Sequence, residues 1–199
     1  MKTGAFLVCI CLLAAAPSYA ADTPTLDLAG GYSLMHDEDR NKDFKAGWFV
    51  TVGGNVNSWL AAVAEIGGSY ATCKACTLGP FTAQTLRGTD LNLKVYTFMA
   101  GPRFASHAAS RVTPFAQILV GGSHVSGGIE WVGAMTTATS FQPGGGIDIN
   151  VSPKWGVRVQ GDYRLIHVGH GSFETPNPPH IAKETRFVVG LVYKQGATP

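Results

Sequence analysis

Four acids and four arginines recur at alternate positions of otherwise apolar stretches: Asp27, Glu65, Asp148 and Asp162 against Arg103, Arg158, Arg164 and Arg186. Two carboxylates held close together can act as general acid and base. A carboxylate beside a guanidinium instead forms a charge-assisted, often bidentate pair. Nothing near these residues supplies a nucleophile or a substrate cleft, so the pairing reading is preferred, with Gln117 and Gln160 filling further hydrogen-bond positions. Asp148 and Arg158 stand equally far from Pro153, so a hairpin turning there would set them directly opposite. Cys73-Lys74-Ala75-Cys76 has three readings: a local disulfide, a redox motif or half of a zinc site. The redox motif needs a helix start that is absent, and zinc needs two further ligands, for which His36, His124 and His170 are the candidates. The six histidines read more simply as solvated loop residues. His170-Gly171-Ser172 with Glu174 or Glu184 could form an activated hydroxyl, but the trio falls in a Gly/Pro-rich stretch read as a loop. No catalytic residue, metal or cofactor is therefore expected.

Alternation of apolar with polar or small residues reveals the elements that carry these groups. Trp48, Val50, Val52 and Val56 oppose Thr51, Gly53 and Asn55; Leu60, Ala62, Ala64 and Ile66 oppose Ala61, Val63 and Glu65. Val157, Val159, Tyr163 and Leu165 oppose Arg158, Gln160, Asp162 and Arg164. A period of two marks β-strands. Eight segments show it, at about 25–35, 47–56, 59–70, 91–104, 112–123, 138–151, 155–167 and 185–193. In the fifth, Phe115 and Leu119 fall on the polar face.

The connections alternate too. Those at Asn57-Ser58, at 106–111 and at Ser152-Pro153-Lys154 are short; those at 36–46, 71–90, 124–138 and 168–184 are long. Loop one is densely charged with both signs, and loop three carries the apolar Ile129, Trp131 and Val132. Short turns at one end and long loops at the other characterise barrels that cross a membrane with strands. A soluble barrel would also alternate, with its apolar face inward. Two features favour lipid: Tyr32, Trp48, Tyr70, Phe141, Phe187 and Tyr193 sit on the apolar face, many near strand ends, and the polar face is poor in Lys.

Composition agrees. Charged residues make up 14% of the chain, 25 of its residues are Gly, and the net charge of +2 gives no case for nucleic acid. Lys2, the apolar run Ala5–Ala16 and Ser18-Tyr19-Ala20 predict a signal peptide over 1–20, cleaved between Ala20 and Ala21. The run is shorter than the about twenty residues of a membrane-spanning helix. Cys9 and Cys11 would leave with it, so Cys73 and Cys76 remain. The mature domain is 21–199.

Gly101-Pro102-Arg103-Phe104, Val112-Thr113-Pro114-Phe115, Gly144-Gly145-Gly146-Ile147-Asp148 and Arg158-Val159-Gln160-Gly161-Asp162-Tyr163 resemble the outer-membrane β-barrel domain family of OmpA-like type. The resemblance implies an all-β, eight-stranded antiparallel up-and-down transmembrane barrel in the outer membrane of a Gram-negative-type bacterium. It further implies surroundings of outer-membrane lipid and delivery by periplasmic chaperones and the barrel-assembly machinery. It assigns no single activity. A structural or surface-binding monomer, with an extracellular ligand for its loops, is the expected role, ahead of a narrow pore. The chain departs from the family where Tyr193, the terminal aromatic, is followed by Lys194 to Pro199. The His170 trio also loosely resembles lipid A deacylases, which are barrels too, but its flanking residues do not match.

Overall fold

The computed structural model describes residues 24–39, 42–74, 90–106, 111–129, 132–168 and 180–196. Every element among them is a strand: β1 Leu26–Asp37, β2 Lys42–Phe44, β3 Ala46–Asn55, β4 Leu60–Lys74, β5 Asp90–Ala105, β6 Val112–Ile129, β7 Val132–Asn150, β8 Trp155–Val168 and β9 His180–Gln195. Neighbours pair antiparallel in chain order, and β1 pairs with β9 from Leu26↔Gln195 to Asp37↔Glu184. That ladder closes the sheet, so no long edge is left open.

Eight strands form the wall because β2 is an outer piece of β3. Tyr32 faces Trp48, but three residues further along β1, Met35 faces Phe44. The β2–β3 side thus holds one extra residue at Lys45–Ala46, a β-bulge. Both bulge residues are exposed, and Phe44 and Gly47 on either side stay buried, so the inward phase survives.

The registers also fix the tilt. Paired residues lead from Leu28 through Val52, Ala64, Ala100, Val120, Phe141 and Leu165 to Lys183, whose carbonyl accepts from the Glu38 amide. One circuit therefore climbs from residue 28 to 38 of the same chain segment. A closed barrel with such stagger has strands inclined by about 35–45°.

The wall is inverted relative to a soluble protein. Its outside carries Leu28, Val50, Val52, Ile66, Phe98, Val120, Phe187 and Leu191, each 39–62% exposed. The inside holds the charges, interleaved with small apolar clusters such as Ala29–Phe49–Val188–Val192 and Ala61–Val63–Met99–Leu119. Outward aromatics collect near the two ends. Trp48, Tyr70 and Tyr96 stand toward one rim; Trp59 stacks on Phe104 (5.9 Å), and Trp155 leans on Tyr193 (5.0 Å), toward the other. From Tyr96 to Phe104 the tilted strand rises about 20 Å, close to the height of an apolar membrane band.

Short turns close the lower rim. Asn57 Oδ1 accepts from the Trp59 and Leu60 amides, and Ser152 Oγ from the Trp155 amide, the side-chain chemistry that makes such residues turn formers. At the opposite rim the strands run well beyond the alternating segments. β4, β6 and β9 reach Lys74, Ile129 and back to His180, and β7 begins at Val132, so most of the connection expected at 124–138 and the ends of those expected at 71–90 and 168–184 are ladder. The wall continues there because hydrogen-bonded pairing needs no apolar face once the strands have left lipid.

Candidate functional site

The ten residues singled out from the sequence all face the lumen, and none exceeds 7% exposure: Asp27, Glu65, Arg103, Gln117, Asp148, Arg158, Gln160, Asp162, Arg164 and Arg186. They form two groups. Toward the short-turn end, Arg158 grips Asp148 in a bidentate pair, Nε to Oδ1 and Nη2 to Oδ2, both at 2.8 Å. The two residues are direct ladder partners on β7 and β8. Arg158 also donates to Thr51 across the lumen (3.2 Å) and approaches Asp27 (3.6 Å). Arg103 donates to the same Asp27 (3.1 Å) and to its ladder partner Gln117 (3.0 Å). Phe115 lies under both guanidiniums, 4.9 Å from that of Arg103 and 4.8 Å from that of Arg158. The ring on the polar face thus serves the charges as a cation–π surface.

The second group centres on Arg186. Its Nη2 donates to Glu65 (2.6 Å) and to Asp162 (2.7 Å), and Gln160 donates to both oxygens of Asp162 (2.9 Å). Gln142 links outward, donating to Glu65 (3.2 Å) and accepting from Arg164 Nε (2.9 Å). Arg164 also pairs with Glu184 (3.2 Å) and touches Met35 sulfur. Together the two groups draw on all eight strands of the wall, and bonds such as Arg158–Thr51, Arg103–Asp27 and Arg186–Glu65 tie distant parts of it together.

Glycine makes room for them. Gly144 pairs with Asp162 on β8, and a Cβ there would collide with the Asp162 carboxylate. At Gly53 a Cβ would come within 2.5 Å of Asp27 Oδ2. Small residues on one strand thus let the large side chain of the next lie flat across it.

The lumen network also takes in Thr51 and Gln142, which the sequence places on the polar face, while sequence reasoning missed three further buried polar residues, Asp37, Glu184 and Lys194. The sequence puts Glu184 at the end of the long connection 168–184, the stretch that also holds His170. Glu184 lies instead on β9, two positions before Arg186 on the same face. Parity extended outward from Arg186 would have found both Glu184 and Lys194, and parity from Asp27 would have found Asp37. The histidines also need correction. His36, His124, His167 and His180 are strand residues, and His36 pairs with Asp43 at 2.7 Å across the β1–β2 hairpin, so loop one is in part ladder. Cys76, His170, Ser172, Glu174, Trp131 and the segment 1–23 lie outside the described residues, as does the Cys73 side chain. Among the described residues no cluster of three His, Cys, Asp or Glu has metal-site geometry.

Arg103 Nη2, Gln117 Nε2, Gln160 Oε1 and Glu65 Oε2 have no protein partner among the described residues, two donors against two acceptors. Buried water commonly bridges such groups. The cavity lined by Asp27, Arg103, Asp148 and Arg158 measures about 10 Å³, room for about one water.

The model of the outer membrane protein beta-barrel domain matches residues 5–194. The chain belongs to that family. No curated protein matches the sequence, but solved barrels match the fold. The chain is similar to Neisserial surface protein A at 13% identity and a TM-score of 0.55, over 85% of this chain and 95% of that one. It is similar to the N-terminal barrel domain of Pseudomonas aeruginosa OprF at 6% identity and 0.52, over 85% and 97%. Ail of Yersinia pestis gives 14% and 0.50, over 84% and 95%. At such identities the likeness establishes the fold. The outer-membrane β-barrel family read from the Gly101, Val112, Gly144 and Arg158 motifs is confirmed, and its members' outer-membrane location explains the apolar exterior.

Proposed function

We propose that the protein is an exported, monomeric outer-membrane barrel whose lumen is plugged by its own side chains and whose long connections bind at the cell surface. The observation that carries this reading is the cross-lumen bonding of Arg158, Arg103 and Arg186, which spans the lumen from wall to wall. Solute passage would require desolvated charges to part, which costs several kcal/mol for each uncompensated ion. With the lumen occupied, the surface connections are left to carry function, as loops on rigid scaffolds commonly do. The role is taken as non-enzymatic: Glu184, one candidate for orienting His170, is buried in the lumen and paired with Arg164 at 3.2 Å.

Planar-bilayer recording tests the plug. The wild-type protein is expected to give little or no stable conductance, with leak rising in Glu65→Ala and Arg158→Ala. Steady wild-type channels, whose selectivity these substitutions alter without loss of stability, would show a pore instead. Export is tested by N-terminal sequencing of the mature protein, which should begin at Ala21. Thiol titration of unreduced, denatured protein should find Cys73 and Cys76 oxidised; stoichiometric metal would reverse that assignment.

A further inference from the structure

One group of outward-facing side chains on the wall is polar and hydrogen-bonded. Trp48 on β3, Tyr70 on β4 and Tyr96 on β5 meet near the long-connection end, where Gly68 separates Trp48 from Tyr96 in the ladder. The indole lies over Gly68, whose Cβ would sit 2.6 Å from Trp48 Nε1. Trp48 Nε1, a donor only, donates to the Tyr70 hydroxyl at 3.1 Å. Tyr70 and Tyr96 meet edge to face, with centroids 6.1 Å apart. Each of the two hydroxyls brings one proton that can be donated. Lys94, directly opposite Tyr70 on β5, adds an ammonium and makes no ion pair among the described residues.

The cluster therefore offers donors and positive charge, which complement an anion with several acceptor oxygens. Its height selects the source of that anion. One ladder step toward the middle of the wall are Val50, Ile66 and Phe98, all 40–62% exposed and apolar; one step outward is the Lys94 row with Ser126. Phenol, indole and ammonium groups settle at that boundary between hydrocarbon and headgroups. We propose that Tyr70, Tyr96 and Lys94 hold the phosphate of a lipid headgroup in the leaflet at the long-connection end, with its chains resting on Ile66 and Phe98.

The test titrates dodecyl phosphate into the folded protein in dodecyl maltoside micelles and follows the Trp48 indole N–H resonance, assigned by its loss in Trp48→Phe. A saturable shift is expected in the wild type. Lys94→Ala should weaken binding about fivefold, the effect of one cation at a lipid surface. Tyr70→Phe should weaken it by about tenfold, the loss of a hydrogen bond to a charged group. Lys154→Ala, exposed at the opposite rim, should change nothing. No saturable shift, or wild-type binding by Lys94→Ala, would overturn the site. Equal binding of inorganic phosphate would overturn its assignment to lipid.

Discussion

Arg158 shows how one residue is made indispensable. It is 1% exposed, saturated by Asp148, Thr51 and Asp27, and laid on Phe115. Removing it takes both hydrogen bonds from the Asp148 carboxylate and leaves Asp27 to Arg103 alone. Arg158→Ala should destabilise the barrel by about 3–5 kcal/mol, because the partner charges stay buried. Urea unfolding in micelles measures this, and Asp148→Asn added to Arg158→Ala should recover part of the loss. Recovery separates an unpaired charge from mere loss of packing. Gly144→Ala addresses the same network from the neighbouring strand. The added methyl displaces Asp162 from Arg186, at a cost of about 1–3 kcal/mol as overpacking. If the variant unfolds like the wild type, the close approach over β7 is not a constraint.

Among the elements, the β1–β2 hairpin is the most informative. It is a ladder beyond the bulge, stitched to β8 and β9. Glu38 accepts from Thr185 at 2.8 Å, and Asp39 accepts from the Lys183 amide at 3.2 Å. Deleting Lys45 removes the extra residue while Phe44 still faces inward opposite Met35. That deletion should fold with a change under about 1 kcal/mol. Deleting Thr51, in mid-strand, flips one half of β3 and should abolish insertion, because a one-residue slip turns every side chain to the other face. Comparing heat denaturation of the two deletions checks this. Hydrogen bonding from His36 lowers the Asp43 carboxyl below its ordinary 3.8. A carboxyl depressed in the folded state supports the hairpin above its unfolded value, and that support disappears as pH falls through the lower one. NMR titration should place the Asp43 midpoint below 3.8, and His36→Ala should raise it.

For the whole molecule, closure decides the properties. The β1–β9 ladder satisfies the backbone groups that an open edge would expose to lipid, where each would cost several kcal/mol. The inversion of polarity then follows from the surroundings: apolar side chains turn outward to lipid, and charges turn inward to one another. Single cysteines at Leu28, Val50, Ile149 and Leu191, all on the outer face, should react with lipid-soluble but not with water-soluble maleimides after reconstitution. Ready labelling by the water-soluble reagent would mean that this face is not in lipid.

Much of this was legible along the chain, for a physical reason. A two-residue period is a local property, and lipid on one side with charge on the other makes it strong wherever a strand crosses the membrane. Leu28, Val50, Ile66 and Leu191 announce their face within a few neighbours. So does the lumen face of Asp27, Glu65, Arg158 and Arg186, and the Pro153 turn sets Asp148 opposite Arg158. The signal fades where strands leave the bilayer, because no apolar face is required there; hence the sequence around Glu184, Asp37 and the outer reaches of β6, β7 and β9 resembles loop. Bond partners across the lumen were decided by the tertiary structure alone. Arg103 joins Asp27, Arg186 joins Glu65 and Arg158 joins Thr51 over separations of 76, 121 and 107 residues. Those choices depend on the stagger with which the sheet closes, which sets the height of every side chain in the lumen, and that stagger is written in no single stretch of sequence.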